Sequence, residues 1–210
     1  MKVLIAGQKW FGAEVFKALY PLAGVTVAAV SAPFAETEDR LYTEASLKGV
    51  RLIPAGTLRA ATMPDGIDLI IAAHSHDFIS EKIRLKAKFG GIGYHPSLLP
   101  LHRGRDAVRW SIRFRERVTG GTVYRLSNKL DGGAVLAQQH VFIRPDDNAE
   151  TLWRRELAPL GIKLLCDVTH QILHSGYLSG SPQDDSLATW EPSIDRPPVF
   201  RPDLMLLEKL

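Results

Sequence analysis

The chain has 210 residues, 45% of them hydrophobic and 23% charged, with a formal net charge of +3. That length suits one domain with a substantial core, and the composition excludes a disordered, collagenous or disulfide-framed chain, since Cys166 is the lone cysteine. No apolar run reaches membrane-span length, the run at residues 3–6 is too short for a signal peptide, and the small positive charge falls short of a nucleic-acid footprint.

Residues 3–6 predict a first buried strand ended by Gly7, after which Phe11, Val15, Phe16 and Leu19 fall at helical spacing. The connecting loop Gly7-Gln8-Lys9-Trp10-Phe11-Gly12 lacks the middle glycine of a dinucleotide fingerprint and the Gly-Lys-Ser/Thr of a phosphate loop, so neither NAD nor ATP is expected there. Residues 25–30 predict a second strand, 37–47 a helix ending near Gly49, 50–53 a third strand and 67–73 a fourth. Continuous apolar strands alternating with helices predict an α/β fold, a Rossmann-like and mostly parallel sheet flanked by helices.

Ala73 ends the fourth strand, and His74-Ser75-His76-Asp77-Phe78-Ile79 follows. Two histidines at this spacing beside an aspartate suit a metal, but no third ligand is evident, and a loop at the carboxyl edge of the sheet is the competing reading. Ser80 is placed to cap a helix running to Lys88, with lysines on its outer face. The next stretch runs Gly91-Ile92-Gly93-Tyr94-His95-Pro96-Ser97-Leu98-Leu99-Pro100-Leu101-His102-Arg103-Gly104. Its glycines bring the backbone close to something, and its prolines stiffen the connection. A histidine where a strand runs out suits chemistry in an open α/β sheet, and it equally suits a rigid loop with a satisfied imidazole.

Residues 107–117 predict a helix, although Val108, Trp110, Ile112 and Phe114 form no single stripe. Residues 103–117 hold six arginines, either a solvated helix face or an attraction for an anion. Residues 120–126 and 134–141 predict an antiparallel strand pair at one end of the sheet, joined by the polar loop Ser127-Asn128-Lys129-Leu130-Asp131-Gly132-Gly133. Asp131, ahead of two glycines, is a turn-former or a placed carboxylate. A long helix follows from about residue 145 to His174, with an acidic first turn and an interruption at Pro159. The expected organisation is one domain over residues 1–175 and an extended tail over 176–210 packed on it, with Trp190 and Phe200 as anchors.

His95-Pro96-Ser97-Leu98-Leu99-Pro100, then Arg103-Gly104, and later Leu130-Asp131-Gly132-Gly133-Ala134-Val135, resemble the formyltransferase family that uses 10-formyltetrahydrofolate. The likeness extends over most of the chain, and the two motifs at this separation are specific together. It implies the formyltransferase fold, and transfer of a formyl group from 10-formyltetrahydrofolate, as co-substrate, to an amine of a small metabolite. The family site is built from an Asn, a His two residues later and a distant Asp. His95 matches the His and Asp131 the Asp, whereas Gly93 stands at the Asn position. Removal of one oxyanion donor costs about 10²–10³ in rate. Water, a backbone N–H or Asn128 from the opposite loop are the candidate replacements.

By the same resemblance the pterin sits between Ala73, His74, Ser75, His76, Asp77, Phe78 and Ile79 on one side and Leu126, Ser127, Asn128 and Leu130 on the other. Tyr124 stands where some relatives carry a His. Gly93 leaves room for water, which keeps open a 10-formyltetrahydrofolate hydrolase, and the missing amide keeps open a catalytically degenerate folate-binding relative. The short acidic stretch at residues 33–39 and the lack of a second domain make tRNA an unexpected acceptor. A cytoplasmic setting without a membrane partner is expected from the single cysteine, and a homodimer is compatible with the chain.

Overall fold

Five apolar runs line up as the parallel part of one sheet because glycine, proline or polar turns end each of them. In the computed structural model these are β1 (Lys2–Gly7), β2 (Thr26–Ala32), β3 (Arg51–Pro54), β4 (Leu69–Ala73) and β5 (Gly91–His95). β6 (Val118–Arg125) and β7 (Val135–Phe142) complete a seven-stranded sheet of order β3-β2-β1-β4-β5-β6-β7. Neighbours from β3 to β5 run parallel, while β5–β6 and β6–β7 are antiparallel. The structure describes residues 1–34, 39–75 and 77–195. The expected helix start at Thr37, the candidate His76 and the expected anchor Phe200 lie outside the described residues.

The apolar runs are continuous because both sheet faces are covered. Val3 and Ile5 enter the larger core, and Leu4 and Ala6 the smaller one on the opposite face, as the period-2 pleat requires. The larger core lies under α1 (Lys9–Leu19) and α6 (Ala158–Ser175). α1 turns Phe11, Val15, Phe16 and Leu19 inward. α2 (Arg40–Leu47) begins at Asp39, whose Oδ1 accepts from the N–H groups of Leu41 at 3.0 Å and Tyr42 at 3.2 Å.

Three local expectations are corrected. α3 is short (Glu81–Lys86), and the Ser80 side chain makes no cap hydrogen bond; its backbone carbonyl accepts from Ile83 and Arg84 instead. α4 (Ala107–Arg113) stops four residues early because Arg115 takes a left-handed φ of 55°. Its inward positions are the small Ala107 and Ser111, so an apolar stripe could not reveal its packing. The long helix is divided. α5 (Ala149–Leu152) starts with a capping box between Asn148 and Thr151, a π-helical turn (Trp153–Leu157) follows, and α6 then carries Pro159 in its first turn, where no N–H is needed.

Candidate active site at the end of the fifth strand

The parallel strands deliver β5 to the carboxyl edge of the sheet, and β5 has no side chain at Gly91 or Gly93 on one face. β6 fills that face. Gly93 pairs with Tyr124, and a Cβ at position 93 would stand 3.0 Å from Leu126 Cδ2 and 3.4 Å from Tyr124 Cε1 and Cζ. Leu126 also lies 2.9 Å from a Cβ built at Gly91. The room for water expected over Gly93 is therefore taken by Leu126 and Tyr124. His95, two residues on, points to the same side of the pleat.

The proline-bracketed loop is tied back onto β6 and β7. Thr122 donates its hydroxyl to the Ser97 carbonyl (2.7 Å) and accepts from the Leu99 N–H (3.2 Å) and from Gln138 Nε2 (2.8 Å). Ser97 donates to the Leu101 carbonyl at 2.6 Å. The loop then returns its own carbonyl to the histidine: His95 Nε2 lies 2.6 Å from the His102 carbonyl oxygen. A carbonyl only accepts, so Nε2 carries the proton and Nδ1 is the nitrogen left for chemistry.

Asp131 faces that nitrogen. Its Oδ2 lies 3.7 Å from His95 Nδ1 and accepts from the Gly104 N–H at 2.8 Å, while Oδ1 accepts the Tyr124 hydroxyl at 2.6 Å. Asp131 has a φ of 49°, so it serves the turn and places its carboxylate at once. His95 and Asp131 are 7% and 8% exposed, deep enough for their mutual field to count. Burial, and then the charge and hydrogen bond of Asp131, push the Tyr124 phenol well above its ordinary range, so it remains a donor.

The two loops expected to flank a pterin are joined by a residue that sequence reasoning missed. Buried Arg84 donates from Nη1 to the Ile79 carbonyl (2.6 Å) and from Nη2 to Asn128 Oδ1 (2.5 Å). Asn128 also donates to Glu81 at 3.3 Å, so its amide serves α3 rather than replacing the missing donor beside His95. Asp77 is held between the Ser31 hydroxyl (3.0 Å) and the Gly56 N–H (2.6 Å), and its own N–H bonds Ser75. Ala73 and Ile79 are buried, Phe78 and Leu130 are exposed, and Ser127 bonds the Lys129 backbone. His74 has a φ of 61°, and no cluster of metal-ligating side chains occurs among the described residues.

Residues 181–191 brace the site. Arg103, 3% exposed, donates to Gln183 Oε1 and Asp185 Oδ1, and Gln183 Nε2 donates to the carbonyls of Asp131 and Gly133, both at 2.7 Å. The buried His102 ring stands 2.8 Å from Glu116 and 3.0 Å from Glu191. Trp190 pairs with Arg103 and lies against its guanidinium. The arginine-rich stretch is thus partly internal: Arg103 faces inward, while Arg109 at the surface bonds Asp195 and stands 3.7 Å from Asp106 as an ion pair.

From Pro96 a hollow of about 360 Å³ opens past Asp106, Ala107 and Glu150 to Trp153. Glu150 and Trp153 also border a cavity of about 1190 Å³ lined by Gln8, Lys9, Trp10, Asp39 and Arg40. Gln8 is buried, and its Nε2 has no partner among the described residues. Gly7 owes its place to packing, since a Cβ there would stand 2.2 Å from the Ala73 carbonyl. The arrangement offers a fixed imidazole, a buried carboxylate and a groove wide enough for a small organic acceptor.

The family described as Formyl transferase matches residues 3–169. Cytosolic 10-formyltetrahydrofolate dehydrogenase of Mus musculus is 31% identical over 91% of this chain, which spans 22% of that protein's length. Methionyl-tRNA formyltransferase of Enterococcus faecalis is 36% identical over 61% of this chain and 41% of its own. Among solved structures, an N-formyltransferase from Helicobacter canadensis, in complex with folinic acid and dTDP-3-aminofucose, covers 91% of this chain and 70% of its own with a TM-score of 0.75 at 19% identity.

Proposed function

The chain belongs to the formyl transferase family, and from that premise we propose that it transfers a formyl group from 10-formyltetrahydrofolate to an amine of a small metabolite. The observation that supports this reading is the buried His95–Asp131 pair at the carboxyl edge of the sheet, with Nδ1 and Oδ2 3.7 Å apart. Attack of an amine on a formyl carbon builds negative charge on oxygen and leaves a proton to remove from nitrogen. His95, fixed through Nε2 by the His102 carbonyl, serves as donor or proton carrier from Nδ1, and Asp131 balances the imidazolium.

In this reading the pterin lies between the loops joined by Arg84, and the amine arrives along the groove from Trp153 to Pro96. Residues 1–175 form the catalytic domain, and the described residues after 175 pack on it through Gln183, Asp185 and Trp190. A small acceptor suits the groove better than tRNA does. A cytoplasmic setting agrees with free, half-buried Cys166, and no helix among the described residues is long and apolar enough to cross a membrane. Light scattering distinguishes a monomer from a homodimer.

A mass-spectrometric screen of amines with 10-formyltetrahydrofolate tests the reading. A formylated product is expected, and His95→Ala should lower its formation by about 10²–10⁴-fold. Formate released without any amine identifies a hydrolase, and folate binding without turnover identifies a degenerate binder.

A further inference from the structure

We propose that Tyr124 is a positioning residue of this site, its ring occupying the volume over Gly93 and its hydroxyl holding Asp131 against His95. The proposal rests on the formyl-transfer reading above. Gly93 and Tyr124 face each other in the β5–β6 ladder, and any side chain at 93 would begin 3.4 Å from the Tyr124 ring and 3.0 Å from Leu126. A side chain on β5 and an aromatic ring on β6 compete for one space. This chain resolves the competition in favour of β6, so the hydroxyl that meets the Asp131 carboxylate arrives from the neighbouring strand.

What that group does follows from proton counting. A phenol has one proton to give, and Tyr124 gives it to Asp131 Oδ1 at 2.6 Å. It cannot also donate to a developing oxyanion while that bond lasts, so it acts through Asp131. The other carboxylate oxygen is fixed by the Gly104 N–H at 2.8 Å and stands 3.7 Å from His95 Nδ1. With both oxygens engaged, the carboxylate cannot swing away from the imidazole. Tyr94, on the same strand pair, supplies the contrast: its hydroxyl reaches only the Leu157 carbonyl, at 2.6 Å.

Tyr124→Phe removes the hydroxyl and keeps the ring. Its kcat should fall about 10- to 100-fold with the KM for 10-formyltetrahydrofolate little changed. Added to Asp131→Asn, the same change should cost nothing further. Tyr94→Phe, an equal loss of one hydroxyl, should leave kcat per folded molecule in place. An unaltered kcat in Tyr124→Phe, or effects of Tyr124→Phe and Asp131→Asn that multiply, overturns the proposal. Should the parent chain turn over no amine at all, the formyl-transfer reading fails separately. The carboxyl ¹³C resonance of Asp131 then still tests the positioning role: at one fixed pH it should move in Tyr124→Phe and stay in place in Tyr94→Phe, and coincident resonances in Tyr124→Phe and the parent overturn it.

Discussion

Tyr94 and Tyr124 leave the same antiparallel strand pair on opposite faces and do opposite work. Tyr94 enters the larger core, pressed between Gly121 and Gly161, where added Cβ atoms would stand 2.3 Å and 2.5 Å from its atoms, and it ends on a backbone carbonyl of the π-helical turn. Burial alone pushes its phenol upward, and no charge lies behind it. Tyr124 sits over a single glycine and ends on a buried carboxylate. Both faces use glycine to seat an aromatic ring. On one side the result is a helix held to the sheet, and on the other a carboxylate held to a histidine.

Replacing the glycine under each ring sharpens that contrast. The larger effect is expected on the Tyr94 side. Gly161→Ala drives a Cβ to within 2.7 Å of three ring atoms, so α6 must move off the sheet. Denaturant titration should show a loss of about 2–3 kcal/mol, with activity per folded molecule retained. Gly93→Asn comes next. The Tyr124 ring must tilt, and stability should fall by about 1–2 kcal/mol while formyl transfer slows about tenfold. A gain in formyl transfer would break the comparison, because it would mark the site as decayed around Gly93 rather than rebuilt around Tyr124.

The smallest effect concerns a second carboxylate, on the Tyr94 side. Asp147 is held below the ordinary carboxylate range: burial opposes this, and hydrogen bonds from Arg155, the Arg144 N–H and Thr151 outweigh it. A lowered folded-state value means its stabilisation is present above the unfolded value of about 4 and lost as pH falls through the folded one. Asp147→Asn should therefore cost under about 1 kcal/mol near pH 7, with the gap closing in strong acid, and should leave formyl transfer unchanged. Urea midpoints at the two pH values check it.

The strands were legible because apolar runs ended by turns have few other uses, and the His95 and Asp131 motifs were legible because their residue types and separation match a family pattern. The site's supports were not. Arg84 reaches Asn128 across 44 positions and Gln183 reaches the Asp131 carbonyl across 52, and no local rule pairs such residues. Gly93 read as a missing side chain until β6 was in register. Once Tyr124 stands opposite it, the vacancy in the sequence becomes a filled space in the fold. The early end of α4 also lacks a signal, since Arg115 is not a residue that favours a left-handed backbone.

The brace over residues 181–191 sets an order of events during synthesis. β1 to β7 and α6 have all been made before Gln183 leaves the ribosome, so the sheet can close while the Asp131 loop still lacks the amide that holds its two carbonyls. Arg103 likewise waits for the same glutamine and for Asp185. A nascent chain paused before residue 183 would hold its layers and its histidine, with the carboxylate on a loop not yet fastened. The carboxylate is in this sense fastened only after the sheet that carries it has been made.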